Sequence, residues 1–261
     1  MEDIEKRKKP IAVIDSGLGG LSVLKVLMRE LPNENYIYFG DSANAPYGEK
    51  SGDEVKRITD ENIGMLSACG AKAVVIACNT ATSAAAEYVR EKYANIPIIG
   101  MEPAVKPAAM MAEHPKVVVM ATPLTLMREK FLRLIEKYSD KAEFVTVPCH
   151  GLVELVERGV VEGEEMDKCL YNILSPYTDG SDVDAVVLGC THYVHAANAI
   201  NKALGGNVQI FDGVLGTVRE VERRLEATHL LNTSDKHGTL EICNSSDDED
   251  FIRRSHMLLE L

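Results

Sequence analysis

VVIACNTATSAA, residues 74–85, joins an apolar run, a Cys-Asn-Thr triplet and an alanine-rich segment without a break. VVLGCTHYVHAA, residues 186–197, repeats this order roughly 110 residues later. Short runs rich in Val and Ile indicate buried strands, and the segments that follow have helical character. The thiols of Cys78 and Cys190 therefore each stand between the end of a predicted strand and the start of a predicted helix.

A second pair of segments repeats with a similar separation. IAVIDSGLGGLSVLKVL, residues 11–27, and VVVMATPLTLMREKFL, residues 117–132, share the order strand, turn and helix. Self-similarity at a fixed separation is the mark of a duplicated structural unit. The sequence therefore predicts two α/β lobes of similar build that face each other.

Apolar runs bounded by Gly, Pro, Asn or Asp alternate with segments of helical periodicity along the chain. The predicted strands are residues 11–14, 36–39, 73–77, 96–100, 117–121, 144–147, 185–189 and 208–211. The predicted helices are residues 21–31, 53–69, 82–93, 125–138 and 152–173. The alternation predicts an α/β fold in which each lobe is a parallel sheet flanked by helices, with the active site in the cleft between the lobes.

The C-terminal segment is predicted to return to the first lobe. Residues 238–259, GTLEICNSSDDEDFIRRSHMLL, predict a strand, a polar turn and a helix with acidic residues near its N-terminus. We therefore expect a discontinuous first lobe of residues 1–101 plus 211–261 and a second lobe of residues 102–210.

Composition limits the classes of function. The chain has 261 residues, of which 46% are apolar and 26% charged, and no apolar run reaches the roughly 20 residues of a membrane helix. The first ten residues are mostly charged, so no secretory signal is expected, and a soluble, cytoplasmic protein is predicted. The formal net charge of -12 disfavours nucleic acid and membranes as partners.

The six cysteines are scattered without a CxxC pair, which fits neither a zinc ribbon nor a thioredoxin motif, and no metal site is predicted. Disulfides are not expected in a reducing cytoplasm. Most such cysteines are small buried residues, and this interpretation would suit Cys78 or Cys190 taken singly. Their matched contexts favour a functional role instead.

A pair of thiols in equivalent loops suits one type of chemistry. Ligands bind beyond the carboxyl ends of parallel strands, so both thiols should point into a crevice, where the positive end of the following helix is expected to lower the pKa of each. Two acid-base groups that face each other can remove a proton from one side of a carbon and deliver another to the opposite side. Such a reaction inverts the configuration of the carbon.

The loop after the first strand is a further candidate. Its backbone amides suit a substrate carboxylate, Ser16 is suited to donate a hydrogen bond, and Asp15 is suited to act as an acid-base partner of a nearby thiol. The alternative is a glycine-rich turn without a ligand, because DSGLGG lacks the spacing of a dinucleotide or phosphate motif.

GDSANAPYG, residues 40–48, is another loop after a strand. Asp41, Ser42 and Tyr47 are placed to line a pocket together with Pro46 and Gly48. The last two residues alone would indicate no more than a turn.

The second lobe offers its own candidates. Thr122 and Thr125 stand where the first lobe has the Asp15 loop, with helix capping as the alternative. His192 either polarises Cys190 or caps its helix. Glu157 is predicted on a helix, where a lone carboxylate is usually exposed to solvent.

Over essentially its whole length the chain resembles the glutamate racemase family, within the wider aspartate/glutamate racemase superfamily. The resemblance is carried by DSGLGGLSVL, GDSANAPYG, VIACNTATS, EPAVKPA from residue 102 and LGCTHY. The His-Tyr pair after the second cysteine is more similar to glutamate than to aspartate racemases. The resemblance implies two α/β lobes, no cofactor, and cytosolic formation of D-glutamate for peptidoglycan; we also expect a homodimer.

The resemblance also implies roles for individual residues. Cys78 matches the base for the D enantiomer and Cys190 the base for the L enantiomer. Asp15, Glu157 and His192 match the supporting acid-base residues. The positions that match substrate-binding residues are Ser16, Asn79, Thr80, Thr122, Thr125 and Thr191.

Two positions depart from the family pattern. Asn44 stands where the family usually has Arg, which is expected to alter packing or charge at the pocket rim. CHGLVELVE, residues 149–157, replaces a run of the form CPxxVPLVE, so Glu157 is matched while the orientation of its helix is left open.

Other functions remain open on the sequence alone. A racemase acting on aspartate is the nearest alternative, and a lyase of the same superfamily can manage with one thiol. A thiol hydrolase would pair Cys190 with His192 and would survive loss of Cys78. A bilobal ligand-binding protein would need no paired thiols and would show no turnover.

Overall fold

The computed structural model describes residues 2–177 and 183–260, in which strands and helices alternate. The strands are β1 (Ile11–Asp15), β2 (Tyr36–Gly40), β3 (Ala73–Ile76), β4 (Ile98–Gly100), β5 (Lys116–Ala121), β6 (Glu143–Pro148), β7 (Ala185–Leu188), β8 (Gln209–Asp212) and β9 (Leu240–Asn244). The helices are α1 (Glu2–Lys8), α2 (Leu21–Glu30), α3 (Gly52–Ala68), α4 (Asn79–Lys92), α5 (Val105–Ala109), α6 (Pro123–Met127), α7 (Glu129–Tyr138), α8 (Leu152–Glu157), α9 (Glu164–Leu174), α10 (Thr191–His195), α11 (Ala197–Ala203), α12 (Val214–Ala227) and α13 (Phe251–Glu260).

The strands form two parallel sheets with a shared internal order. The first sheet runs β4-β3-β1-β2-β9 and the second runs β8-β7-β5-β6. Every recorded pairing between neighbouring strands is parallel. In this order β3 corresponds to β7 and β1 to β5, so the loop of Cys78 corresponds to that of Cys190. The predicted α/β fold of two similar lobes is confirmed.

Each sheet is covered by helices on both faces. Successive residues of a strand point to opposite sides, so the apolar strands present side chains to the helices on each face. In the first sheet Ile11 packs with α2, α12 and α13, whereas Ala12 packs with α3 and α4. In the second sheet Val118 packs with α8 to α11, whereas Val117 packs with α5 and α7. Within the described residues, no helix is both long enough and apolar enough to span a bilayer.

The C-terminal segment packs against the first sheet. Helix α12 follows β8, yet Val218 and Leu225 are buried in the same core as Leu24 of α2, and β9 pairs with β2. This packing supports a discontinuous first lobe. The exact domain boundaries stay a prediction, and β8 extends to Asp212, beyond the predicted boundary at residue 211.

Two helices predicted as continuous are interrupted. The prediction of one helix over residues 152–173 is wrong, because Gly159 and Gly163 have φ angles of 79° and 96°, and α8 ends before them. A left-handed glycine just after a helix is a common way to end it. The prediction of one helix over residues 125–138 is also wrong, since Arg128 is extended between α6 and α7. The first break leaves Glu157 as the last residue of α8.

Candidate active site

The loops at the carboxyl ends of the two sheets meet at a small cleft lined by residues of both lobes. The two lobes are tied together beside it, since the Thr191 hydroxyl donates to Asp15 Oδ1 at 3.1 Å and the Thr80 and Thr122 hydroxyls are 3.0 Å apart. The predicted site residues on its walls are Ser16, Pro46, Tyr47, Gly48, Thr122, Cys190 and His192. The wall residues that the sequence did not single out are Glu49, Pro123, Cys149, His150, Gly151, Val153 and Glu154.

Cys78 lies at the N-terminus of α4 and is 6% exposed. Its Sγ accepts a hydrogen bond from the Ala81 amide at 3.5 Å, and its thiol lies 3.9 Å from Ser16 Oγ on the cleft wall. Burial, followed by the negative charge of Asp15, raises the pKa of the Cys78 thiol. The expectation that the helix would lower the pKa of this thiol is therefore wrong, because removal from solvent outweighs the hydrogen bond at the helix N-terminus.

Cys190 is the first member of a chain of polar contacts. His192 Nδ1 lies 3.7 Å from Cys190 Sγ, and its Nε2 lies 2.6 Å from Glu157 Oε1. Burial opposes a charged imidazole, but the hydrogen bonds to Cys190 and Glu157 outweigh it and raise the pKa of His192 well above its usual value. A cation therefore stands beside the Cys190 sulfur. Among the described residues, the side chain of Cys190 at the N-terminus of α10 makes no capping hydrogen bond.

Glu157 joins the two lobes. Besides His192, its Oε1 accepts a hydrogen bond from the Leu18 amide of the first lobe at 2.7 Å. Burial would raise the pKa of Glu157, but the hydrogen bond to His192, its charge and the Leu18 amide together outweigh burial and lower the pKa. The expectation that a lone carboxylate on this helix would be solvent-exposed does not hold, and the changed CHGLVELVE segment still directs Glu157 to the site.

The glycines of DSGLGG permit this close contact between lobes. A Cβ atom on Gly17 would lie 1.9 Å from Glu157 Oε1, and one on Gly19 would lie 2.4 Å from His192 Nδ1. A side chain at either position would fit only if Glu157 or His192 moved from its place in the site. The glycines therefore make room for Glu157 and His192 of the second lobe.

Asp15 is fully buried beneath this loop. Its Oδ2 accepts from the Gly17 amide at 3.1 Å, and its Oδ1 accepts from Thr191. Burial is the main cause that raises the pKa of Asp15, and the charge of His192 only partly offsets it. The carboxylate thus couples the Cys78 side of the site to the Cys190 side.

Three threonine hydroxyls from both lobes converge. Thr80 Oγ1 lies 3.0 Å from Thr122 Oγ1 and 3.2 Å from Thr125 Oγ1, and the latter two are 2.9 Å apart. Thr122 also accepts from the Thr125 amide at 3.4 Å, so it caps α6 as its alternative interpretation predicted. Capping and a place on the cleft wall are compatible.

Asn79 is buried, and both polar atoms of its side chain lack a hydrogen-bond partner within the described part of the chain. Leaving a buried amide unpaired is costly, so such a group commonly belongs to a ligand site. Asn79 and Thr125 line a groove beside residues 101–103, which connect the two lobes.

Asp41 is placed differently from its prediction. The carboxylate is 1% exposed and accepts hydrogen bonds from the Tyr47 hydroxyl at 2.5 Å and from the side-chain amides of Asn44 and Asn62 at 3.0 Å. It does not line the cleft. Its contacts indicate that it holds the loop of Tyr47 in place, with Asn44 as an uncharged donor.

Ser42 is directed toward the C-terminal segment. Its hydroxyl hydrogen bonds to Asn244 and lies 2.9 Å from Ser246 Oγ, and it is absent from the cleft walls. A position in a loop after a strand does not fix the side of the loop to which each side chain points. The prediction that Ser42 binds substrate therefore gains no support.

Two residues that were not among the predicted site residues support the site from outside. The Tyr38 hydroxyl donates to the Gly17 carbonyl at 2.6 Å, and His195 Nε2 lies 3.2 Å from the Gly19 carbonyl. A tyrosine within a buried strand was one available signal, because its hydroxyl needs a partner. No local pattern could reveal His195, which is 176 residues away from its partner.

Comparison with known proteins is in accord with this geometry. The family model described as Asp/Glu/Hydantoin racemase matches residues 11–221. The chain is 49% identical to a glutamate racemase of Clostridium perfringens over 261 residues, which is 100% of both chains. The structure is similar to glutamate racemase of Francisella tularensis in complex with D-glutamate, with a TM-score of 0.84, 32% identity and coverage of 98% and 95% of the two chains. A glutamate racemase of Bacillus anthracis gives a TM-score of 0.86 at 28% identity, with the same coverages.

Proposed function

The chain belongs to the Asp/Glu/Hydantoin racemase family and interconverts L- and D-glutamate, and on that premise we propose that the thiols of Cys78 and Cys190 carry out the reaction without a cofactor. The observation that supports this most is the position of the two cysteines after the equivalent strands β3 and β7, one from each lobe. Cys190 lines the cleft, and Cys78 lies behind its wall, 3.9 Å from Ser16 Oγ. Inversion at a carbon needs one proton acceptor and one proton donor, and this pair supplies both.

The different surroundings of the thiols suggest which acts first on L-glutamate. Cys190, beside the charged imidazole of His192, takes the α-proton as a thiolate. Cys78, whose raised pKa keeps it protonated at neutral pH, delivers its proton to the opposite face. The product is D-glutamate, with Cys190 protonated and Cys78 as thiolate, and the reverse reaction starts from that state.

The α-proton of glutamate is a far weaker acid than a thiol, whose reference pKa is about 8.5. Close positioning and preorganised donors must therefore stabilise the developing carbanion. We assign His192, Glu157 and Asp15 as supporting acid-base residues, because they link the neighbourhoods of both thiols through direct hydrogen bonds. These bonds fix the imidazole before substrate arrives.

Substrate recognition is proposed to rest on hydroxyl and amide groups, because the cleft walls carry neither Lys nor Arg among the described residues. The donors that we assign to glutamate are Ser16, Asn79, Thr80, Thr122, Thr125 and Thr191. Pro46, Tyr47 and Gly48 also line the cleft. Neutral donors satisfy a carboxylate without fixing it in a strong ion pair.

Thr80→Val and Thr191→Val are each expected to lower kcat/KM for glutamate, because each removes a hydrogen bond at nearly constant volume. The expected loss of transition-state stabilisation is about 1 to 3 kcal/mol for each variant. Steady-state kinetics in both directions measure the effect. Thr228→Val, at an exposed site after α12, is a matched control that should leave kcat/KM unchanged. Unchanged kinetics in both Thr80→Val and Thr191→Val would place the carboxylate site elsewhere.

A substrate panel tests the proposed function as a whole. Purified protein, dialysed against hydroxylamine to remove any pyridoxal phosphate, should racemise L- and D-glutamate in chiral chromatography and leave aspartate unchanged. The activity should not rise when pyridoxal phosphate is returned. Activity lost on dialysis and restored by pyridoxal phosphate would contradict the two-thiol mechanism, and turnover confined to aspartate would contradict the substrate.

The cellular setting follows from the reaction as a proposal. We place the protein in the cytoplasm as a homodimer that supplies D-glutamate for peptidoglycan synthesis. The six free cysteines support this location, since disulfides are rare in a reducing compartment.

A further inference from the structure

Helix α10 carries two histidines on one face. His192 and His195 are three residues apart, a spacing that places side chains on the same side of a helix. Both contact the loop of residues 15–20 from the first lobe: a Cβ on Gly19 would meet His192, and His195 Nε2 lies 3.2 Å from the Gly19 carbonyl oxygen. A carbonyl oxygen can only accept, so Nε2 of His195 carries the hydrogen and donates it.

The second lobe thus holds this loop at two neighbouring backbone groups. The Leu18 amide donates to Glu157, and the Gly19 carbonyl accepts from His195. One contact involves an N–H and the other a C=O, so together they fix the orientation of this part of the loop as well as its distance from α10.

This loop extends from the surroundings of the Cys78 thiol to those of the Cys190 thiol. At one end Ser16 lies 3.9 Å from the Cys78 sulfur, and at the other Gly19 packs against His192, which contacts Cys190. A shift of the loop relative to α10 would therefore change the position of the Cys78 neighbourhood relative to the Cys190 neighbourhood. Proton transfer is sensitive to displacements of about 1 Å.

His195 also has the charge state that this position requires. Burial, reinforced by the charge of His192, lowers the pKa of His195 to about 4. At neutral pH it donates a hydrogen bond without adding a second positive charge beside His192. The half-buried imidazole is therefore a neutral donor next to a charged one.

We propose that His195 is a positioning residue for glutamate racemisation: its Nε2–H holds the loop of residues 15–20 against α10 and so sets the geometry between the Cys78 and Cys190 sides of the cleft. This inference rests on the proposed two-thiol function. His195 itself touches no reacting atom.

Two amide substitutions distinguish the effect of losing the Nε2–H donor of His195 from the effect of losing the bulk of its ring. In His195→Gln the amide nitrogen takes the place of Nε2, whereas in His195→Asn it reaches only as far as Nδ1. We expect H195N to lower kcat about tenfold or more in both directions with KM for glutamate within about twofold, and H195Q to restore most of the loss. His237→Asn, at an exposed histidine before β9, is the control and should behave as the wild type.

Circular dichroism and thermal midpoints accompany the kinetics, because a purely structural role would lower the folded fraction and leave kcat per folded molecule unchanged. Wild-type kcat in H195N, equal losses in H195N and H195Q, or a loss that follows the folded fraction would each overturn the proposal. The two-thiol function is judged separately by the cysteine variants of the same preparation, so failure of one idea is distinguishable from failure of the other.

Discussion

Cys78→Ala is expected to lower kcat for glutamate racemisation at least a thousandfold in both directions, and Cys190→Ala is expected to do the same, a loss of about 4 kcal/mol or more in each case. The reason is that each variant lacks either the proton acceptor or the proton donor that inversion requires, whichever enantiomer is supplied. A polarimetric or chiral chromatographic assay with each pure enantiomer measures both directions.

The fold must survive for this result to be interpreted. Cys78 caps α4 through the Ala81 amide, so loss of its sulfur is expected to destabilise the protein by about 1 kcal/mol. Cys78→Ser keeps a capping atom and most of the volume while removing the thiol, and it should be as inactive as Cys78→Ala. If Cys78→Ser has a kcat near that of the wild type while Cys78→Ala is inactive, the role of Cys78 is to cap α4 and not to transfer protons.

Two other cysteines provide matched controls. Cys149 lines the same cleft, and Cys69 is exposed after α3. Cys149→Ala and Cys69→Ala should keep kcat within about tenfold of the wild type, because neither follows the strands β3 and β7 that carry the proposed acid-base pair. Retention of more than about a tenth of wild-type kcat in Cys78→Ala or Cys190→Ala, a loss below roughly 1.4 kcal/mol, would reject the two-thiol mechanism.

The strands and their order could be predicted because the signals are local and repeated. The runs ending at Asp15 and Cys78 recur at Thr122 and Cys190, and repetition indicated which strands are equivalent. Helix ends were less predictable. Gly159 lies in a periodic apolar segment, and only its positive φ shows that α8 stops before it.

The electrostatics of the site depended on information that the sequence lacks. Position at a helix N-terminus predicted a lowered pKa for Cys78, whereas burial and the nearby carboxylate of Asp15 raise it. Burial is a property of the packed lobes, and the Asp15 carboxylate comes from a different strand. In the same way Glu157 could be assigned a role by resemblance, but its bridge between Leu18 and His192 is visible only when the lobes meet.

Loop residues illustrate a second limit. Asp41 and Tyr47 were both predicted to line a pocket. In the structure Tyr47 is on the cleft wall, whereas Asp41 lies behind it and accepts a hydrogen bond from the Tyr47 hydroxyl. The division depends on the direction of each side chain in the loop. Asn62, which completes the set of donors to Asp41, belongs to α3 and carries no local signal of a role.

Turnover in heavy water is expected to place deuterium at Cα of nearly every molecule of product formed early in the reaction, while the remaining substrate stays mostly unlabelled. If Cys190 removes the α-proton of L-glutamate and Cys78, equilibrated with solvent, protonates the other face, the product carries a solvent-derived hydrogen. The same holds in reverse for D-glutamate. Mass spectrometry of the separated enantiomers, taken while only a small fraction of substrate has reacted, measures both pools.

The placement of the label distinguishes two bases from one. A single base that carries the abstracted proton from one face to the other would return part of the original protium to the product, whereas Cys78 and Cys190 belong to different lobes and do not share a proton. Wild-type protein that returns substantial protium to product from both directions would defeat the opposed-thiol assignment, even with racemisation itself intact. Product labelled in one direction only would contradict it as well, because the two thiols exchange roles when the substrate is reversed.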